Sequence, residues 1–269
     1  MVTRETLAAG PIPGMSDEAL RELERRWRAS GAVEDEAAWL AARLRVGAQN
    51  ASALRLRALL GEPAARLALG DSSPAEVTPG PAAADALARL AGAHGVLEHH
   101  LFEPPGAPDD PAAHELVARA TALLFGESQV GPLAGQRVGL AELLGDRVDV
   151  GRRLLLFPSP DGLLPAAEAT AARLTRPGFG SSLEVGYGRA FADPPYGIRG
   201  TLEEVARLFD DTWTALVGTW EPDALVAFSW SVDHLPAFSA GTEWWGSPLW
   251  TIAPRDGRPW VGAAASATD

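Results

Sequence analysis

Acid–base, nucleophilic and metal chemistry each need particular side chains at particular spacings, and the candidates in this chain are few. Four of the five histidines, His94, His99, His100 and His114, lie close together in sequence. None forms the H-E-x-x-H pair that puts two zinc ligands and a general base on one helical face. On a strand, adjacent His99 and His100 point to opposite sides, so these residues are expected to be surface or partly buried, with local hydrogen bonds. A nucleophilic serine on a G-x-S-x-G elbow is absent, because Gly180-Ser181-Ser182 lacks both the spacing and the strand-to-helix setting. Asp233-His234 offers two members of a triad with no activated serine beside them. Gly178-Phe179-Gly180 and Gly186-Tyr187-Gly188 fall short of the G-x-G-x-x-G phosphate fingerprint and read as places of close backbone packing.

Missing residue types exclude more. The chain has no cysteine, and arginine supplies all 23 of its basic side chains. Without thiols there is no disulfide, thiolate zinc site or cysteine nucleophile. Without lysine there is no GK[ST] phosphate loop, Schiff base or kinase lysine. No metal or cofactor is expected. The formal net charge of −12 argues against nucleic-acid binding, which relies on basic patches to meet phosphates. No stretch approaches the ~18 apolar residues of a spanning helix, and the start of the chain has no continuous apolar block, so a cytoplasmic protein is expected.

What remains is an unusual mixture near the carboxy terminus. Seven of the nine tryptophans, Trp213, Trp220, Trp230, Trp244, Trp245, Trp250 and Trp260, fall in the last 57 residues. Between residues 201 and 251 stand eight carboxylates, Glu203, Glu204, Asp210, Asp211, Glu221, Asp223, Asp233 and Glu243, against the single Arg207. Tryptophan carries a broad apolar body and one N–H donor, which suits an aromatic core or the anchor of a recognition face. A surface of this charge favours a cationic partner. Two carboxylates facing a cleft lined with aromatic platforms also describe a glycosidase, so a carbohydrate-directed enzyme or binding module is the alternative reading. Adjacent pairs such as Glu203–Glu204 and Asp210–Asp211 read instead as a solvated helical face.

The elements that must position these residues divide the chain. Residues 16–31 and 34–45 have amphipathic helical spacing, with Leu20, Leu23 and Trp27 on one face and Ala37, Leu40 and Leu44 on the other helix's inner face. Gly31 and Gly47 close the two helices, which form an antiparallel hairpin with Trp27 and Trp39 in its core. Residues 52–60 and 63–69 read as a shorter third and fourth helix. An α-helical region over residues 1–70 is followed by a Pro-, Ser- and Gly-rich linker over 71–83. Residues 84–269 read as an α+β domain whose stretch 84–150 has no clear assignment. Within it, residues 183–191 alternate as a strand with one small-residue face. Thr201, with Glu204 three residues on, opens a long helix to about residue 219 through a capping box. Residues 224–230 are apolar throughout, as in a strand covered on both faces. Strands 249–253 and 260–264 flank the hairpin turn at Asp256-Gly257. The fold class is therefore α+β, with amino-terminal helical hairpins and a mixed domain in which a sheet packs against a long helix.

One local pattern is familiar. Trp220-Glu221-Pro222-Asp223 ends a helix and feeds an apolar strand, and Gly241, Thr242 and Gly246 lead to Leu249-Trp250-Thr251. Over roughly residues 202–252 this resembles the immunity protein 52 family of bacterial polymorphic toxin systems. The family's amino-terminal strand and helix have no counterpart here, and the helical hairpins stand in their place. The resemblance implies a cytoplasmic, non-enzymatic protein that binds and neutralises a partner toxin, often a nuclease-like one, with no catalytic residues to inherit. An inhibitor of this kind presents carboxylates to the cationic residues with which a nuclease holds phosphates. Trp230, Trp244, Trp245, Glu243, Asp233 and Asp223 are the expected interface residues, while Trp213 and Trp220 are left to the core or its edge.

Overall fold

A computed structural model describes residues 17–70, 76–172, 186–194, 197–239 and 246–265. The chain forms two compact units, Met1–Ala75 and Glu76–Asp269. The first carries ten arginines and ten carboxylates, so the net charge of −12 resides wholly on the second, with thirteen arginines and twenty-five carboxylates.

The first unit is helical. Helix α1 (Asp17–Ser30) ends at Gly31, whose positive φ of 62° turns the chain into α2 (Val33–Arg45). Asn50 caps α3 (Ala51–Leu59) by accepting the Ala53 N–H at 3.1 Å, and Pro63 occupies the first turn of α4 (Pro63–Leu69). Helix α2 is central, packing on α1 and α4, and Leu40 and Leu54 meet Ala37, Ala58, Ala64 and Ala65 in a small core. Trp27 and Trp39 differ from expectation. They stack on each other, ring centroids 4.6 Å apart, but both remain half-buried at the edge of that core. The small alanine-rich core beneath them does not extend to cover both rings.

The second unit begins inside the span read as a linker. Val77 donates to the Leu101 carbonyl at 2.7 Å, and Glu76 bridges Phe102, so the chain is already bound to a sheet edge before helix α5 (Pro81–Gly92) starts. Strand β1 (Glu98–Phe102), helix α6 (Pro111–Leu124), β2 (Gly135–Val138) and α7 (Leu140–Leu144) follow. Strands β3 (Val148–Asp149), β4 (Leu154–Ser159) and β5 (Gly162–Pro165) form a small antiparallel sheet that leads into α8 (Ala166–Ala171). Then come α9 (Tyr187–Ala192), α10 (Leu202–Leu216), β6 (Leu225–Trp230), the short α11 (Pro236–Ser239), β7 (Leu249–Pro254) and β8 (Trp260–Ala264).

Strands β1, β8, β7, β6 and β2 make one antiparallel sheet in that order, with β7 and β8 joined through Asp256-Gly257 as expected. Helix cover on both faces explains its apolar run. On one face Ala227, Trp250, Ile252, Val261 and Ala263 share a core with Val205, Phe209 and Trp213 of α10. On the other, Val226, Phe228 and Leu249 meet Ala118 and Ala122 of α6. That second packing is close enough to require glycine in β8, because a Cβ on Gly262 would collide with the Thr121 side chain. The result is a mixed α+β unit with the sheet between two helical layers.

Helix α10 opens as its sequence indicates. Thr201 accepts the Glu204 N–H and the Glu204 carboxylate accepts the Thr201 N–H at 2.7 Å, completing the capping box. It stops short of residue 219 because Gly218 takes a φ of 75° and its N–H folds back to the Trp213 carbonyl. The strand expected over residues 183–191 is a correction. Residues 187–192 are helix α9, and 183–185 lie outside the described residues. Over so short a span, alternation and helical spacing coincide. Tyr187, Ala190 and Phe191 aim inward at i, i+3 and i+4, while Gly186 meets Gly145 backbone to backbone and Gly188 rests on Val148. The small residues serve close packing rather than one face of a strand.

Candidate functional site

The residues nominated from sequence separate in space. Trp230 is buried at 6% exposure, which overturns its role as an exposed anchor. Its partner across the β2–β6 ladder is Gly135, and the missing side chain there leaves room for the indole to lie over the strand. Its N–H donates to the Thr251 hydroxyl at 3.0 Å. Asp223 and Asp233 are both exposed but flank opposite ends of the six-residue β6, on the order of 20 Å apart at ~3.3 Å per residue. They do not share one patch. Glu243, Trp244 and Trp245 lie outside the described residues. The segment that leads toward them is held from the core. Buried Glu127 accepts the Ala237 N–H at 2.6 Å, and Ser247 donates to the Phe238 carbonyl.

The acidic segment lines a concave site at the carboxy-terminal end of α10. Asp210 and Thr214 of α10, Thr219 to Glu221 of the following turn, and Arg153 after β3 line a groove of about 430 Å³. Trp213 fixes the turn by donating its indole N–H to the Thr219 carbonyl at 2.8 Å, and the Thr219 hydroxyl accepts the Glu221 N–H at 3.1 Å. Arg153 adopts a left-handed φ of 57°, rare for a side chain of this size, and its guanidinium reaches Glu221 at 3.2 Å. Asp210 makes no ion pair among the described residues. Partial burial and the neighbouring Asp211 carboxylate raise its pKa above the usual carboxylate range, with Arg153 acting against them. Carboxylates, hydroxyls and the negative end of a helix dipole all favour a cation in this groove. Glu221 was visible in the sequence as one carboxylate among many, and Asp210 as part of a solvated face. No linear spacing links either to Arg153, which the fold brings in from the small sheet.

The histidines lie elsewhere. His114 is fully buried between Phe228 and Trp260, with ring centroids 4.5 Å from each. Its Nδ1 is 2.8 Å from the Thr251 hydroxyl and its Nε2 is 2.8 Å from the Pro108 carbonyl. The Pro108 carbonyl can only accept, so Nε2 of the neutral ring carries the donated proton and Nδ1 accepts the Thr251 hydroxyl hydrogen, while the Thr251 oxygen accepts from Trp230. Burial lowers the His114 pKa to about 4. His99 and His100 face opposite sides of β1, as adjacent strand residues must. His99 Nε2 meets the Tyr187 hydroxyl at 2.7 Å, and burial, followed by the His100 neighbour, lowers its pKa to about 3. At His100 burial is outweighed by Glu98 and Glu76, the latter 3.0 Å away, and the pKa is raised. Among the described residues no three His, Asp or Glu side chains converge as a metal-binding group. No described helix is long and apolar enough to cross a membrane.

The chain matches no protein-family model, no curated protein and no solved structure.

Proposed function

We propose that this chain is an acidic binding protein whose second unit docks onto a cationic surface of a protein partner, in the manner of an immunity protein neutralising a nuclease-like toxin in the cytoplasm. The observation that carries this reading is the segregation of charge. All of the net −12 belongs to Glu76–Asp269, and the same unit offers a groove whose Asp210 makes no ion pair among the described residues. A guanidinium from the partner, entering beside Asp210 and Glu221, exchanges its water for charge-assisted hydrogen bonds. The excess of carboxylate steers the encounter from a distance.

The burial of Trp230 alters how such a partner is held. Trp213, Trp220, Trp230, Trp250 and Trp260 are all buried, so none supplies an open platform for a sugar ring, and the carbohydrate reading loses its support among the described residues. The charge reading does not depend on them. It is tested with the purified product of the adjoining gene. Association should slow by about tenfold or more between ~0.05 M and ~0.5 M salt, as the Debye length contracts. Asp210→Asn with Glu221→Gln should weaken the complex by about tenfold. Absence of binding, or binding indifferent to both salt and these substitutions, refutes the reading.

A further inference from the structure

The first unit presents a surface that its own fold leaves half covered. Helix α1 is strongly amphipathic, with Leu20, Leu23 and Trp27 on one face, yet none of its 14 residues is fully buried. An apolar stripe on a surface helix is ordinarily offset by burial against a neighbour. Here the neighbour is α2, and the seam between them is open. Leu20, Arg21 and Glu24 of α1, Trp39 and Arg43 of α2, and Ala48 beyond it line a groove of about 340 Å³. The stacked Trp27–Trp39 pair, interplanar angle 21°, lies within this seam, and the Arg43 guanidinium sits 4.7 Å from the Trp39 ring centroid. Arg43 also donates to the Ala48 carbonyl at 2.9 Å, which holds it beside the ring.

We infer that this groove docks an amphipathic helix of a protein partner whose apolar ridge is flanked by carboxylates. Shape supports a helix. The lining positions recur at i and i+4 on both α1 and α2, so the floor runs along two helices, as a third helix requires. Charge selects its sign. Glu24 is already paired with Arg28 at 2.6 Å, whereas Arg21 and Arg43 face no carboxylate within ion-pair reach among the described residues. Two guanidinia without a carboxylate partner among the described residues, beside half-buried tryptophan, match the composition of interface anchors, where Trp and Arg dominate. The groove's lining carries both arginines and one carboxylate, Glu24, which is already paired, so the charge it offers a ligand is positive. The groove lies on the other unit from the acidic site, so either interaction can fail without the other.

The test uses the full chain and two dye-labelled peptides of about 14 residues, or four turns. Both carry leucine at i, i+3, i+4 and i+7, with glutamate at the remaining positions in one and lysine in the other. Fluorescence anisotropy should show saturable binding of the glutamate peptide and binding at least about tenfold weaker for the lysine peptide. Trp39→Ala should abolish the signal. Arg21→Gln with Arg43→Gln, which leaves the stacked rings in place, should weaken it by about tenfold while circular dichroism stays unchanged. Equal binding of the two peptides, no binding of either, or full binding by the double arginine variant overturns the inference. So does a concentration-dependent dimer that Trp39→Ala abolishes, since that places a second copy in the groove.

Discussion

Acid should loosen the second unit before its carboxylates titrate, and two histidines set the size of the effect. His114 and His99 are neutral in the native state, with pKa values lowered to about 4 and about 3, against ~6.5 in an unfolded chain. Between those limits the unfolded state binds protons that the native state refuses. Stability is therefore full above pH ~6.5 and falls as the pH descends toward the folded values. Integrating the linkage from pH 7 to pH 5 gives a loss of about 2 kcal/mol for each of the two histidines, roughly 4 kcal/mol together. His100 has the opposite sign. Its raised pKa contributes stability that is complete below ~6.5 and is lost as the pH rises, so it adds no slope over most of this interval. Urea melts at pH 7, 6 and 5, followed by tryptophan fluorescence, measure the total. His114→Gln retains an acceptor for Thr251 and a donor for Pro108 but does not titrate. It should lower stability at pH 7 by about 1–3 kcal/mol through lost packing and halve the acid-dependent loss. An unchanged loss between pH 7 and pH 5 in that variant would show that His114 is not held neutral by burial, and the relay from Trp230 to Pro108 would need another account.

Two further sites probe the packing that holds the sheet and its covering elements together. Gly262→Ala should destabilise the unit by about 1–3 kcal/mol, because the new methyl collides with Thr121, and Thr121→Ala should recover part of the loss; equal costs in both backgrounds would refute the close approach. Asp193→Ala should cost about 3 kcal/mol or more by leaving the Arg147 guanidinium, only 6% exposed, without the carboxylate 3.2 Å away. Combining Arg147→Met with Asp193→Leu removes both charges and keeps the space filled, so chemical denaturation should show a smaller cost than for Asp193→Ala alone. A double variant as unstable as the single one would contradict that explanation.

The parts of the fold readable in the sequence were those determined by nearest neighbours along the chain. Thr201 with Glu204, Asp256-Gly257 and the apolar run into Trp230 each carry their instruction locally, and each forms the expected capping box, hairpin or strand. Failures came where the deciding partner is distant. The segment at Gly186 packs where Gly145, forty-one residues earlier, admits its backbone, a partner that its own alternation does not reveal. Trp230 is buried because residue 135 is glycine, within a stretch that gave no clear pattern of its own. The candidate site shows the same division. The excess charge of residues 201–251 is plain from composition, but which carboxylates form a concave surface depends on Arg153 and the end of α10 meeting in three dimensions.

The concentration of tryptophan near the carboxy terminus and the concentration of carboxylate there have different physical causes. Strands β6, β7 and β8 lie between two helical layers, so residues on both of their faces must be apolar, and Trp230, Trp250 and Trp260 fill that space. Helix α10 covers one layer and turns its other side to water, which is where Asp210, Asp211 and Arg207 stand. Aromatic mass inside and carboxylate outside thus follow from a single amphipathic architecture, and they need not act together on a partner. On the proposed reading, recognition by this unit rests on charge and on the groove beside Asp210, a combination that favours rapid, salt-sensitive association. The open tryptophan pair belongs to the other unit, where the two rings stack beside Arg43 and the net charge is zero. The two proposals thus give the units different chemistries, one selecting cations by excess carboxylate and the other an acidic apolar ridge through two arginines.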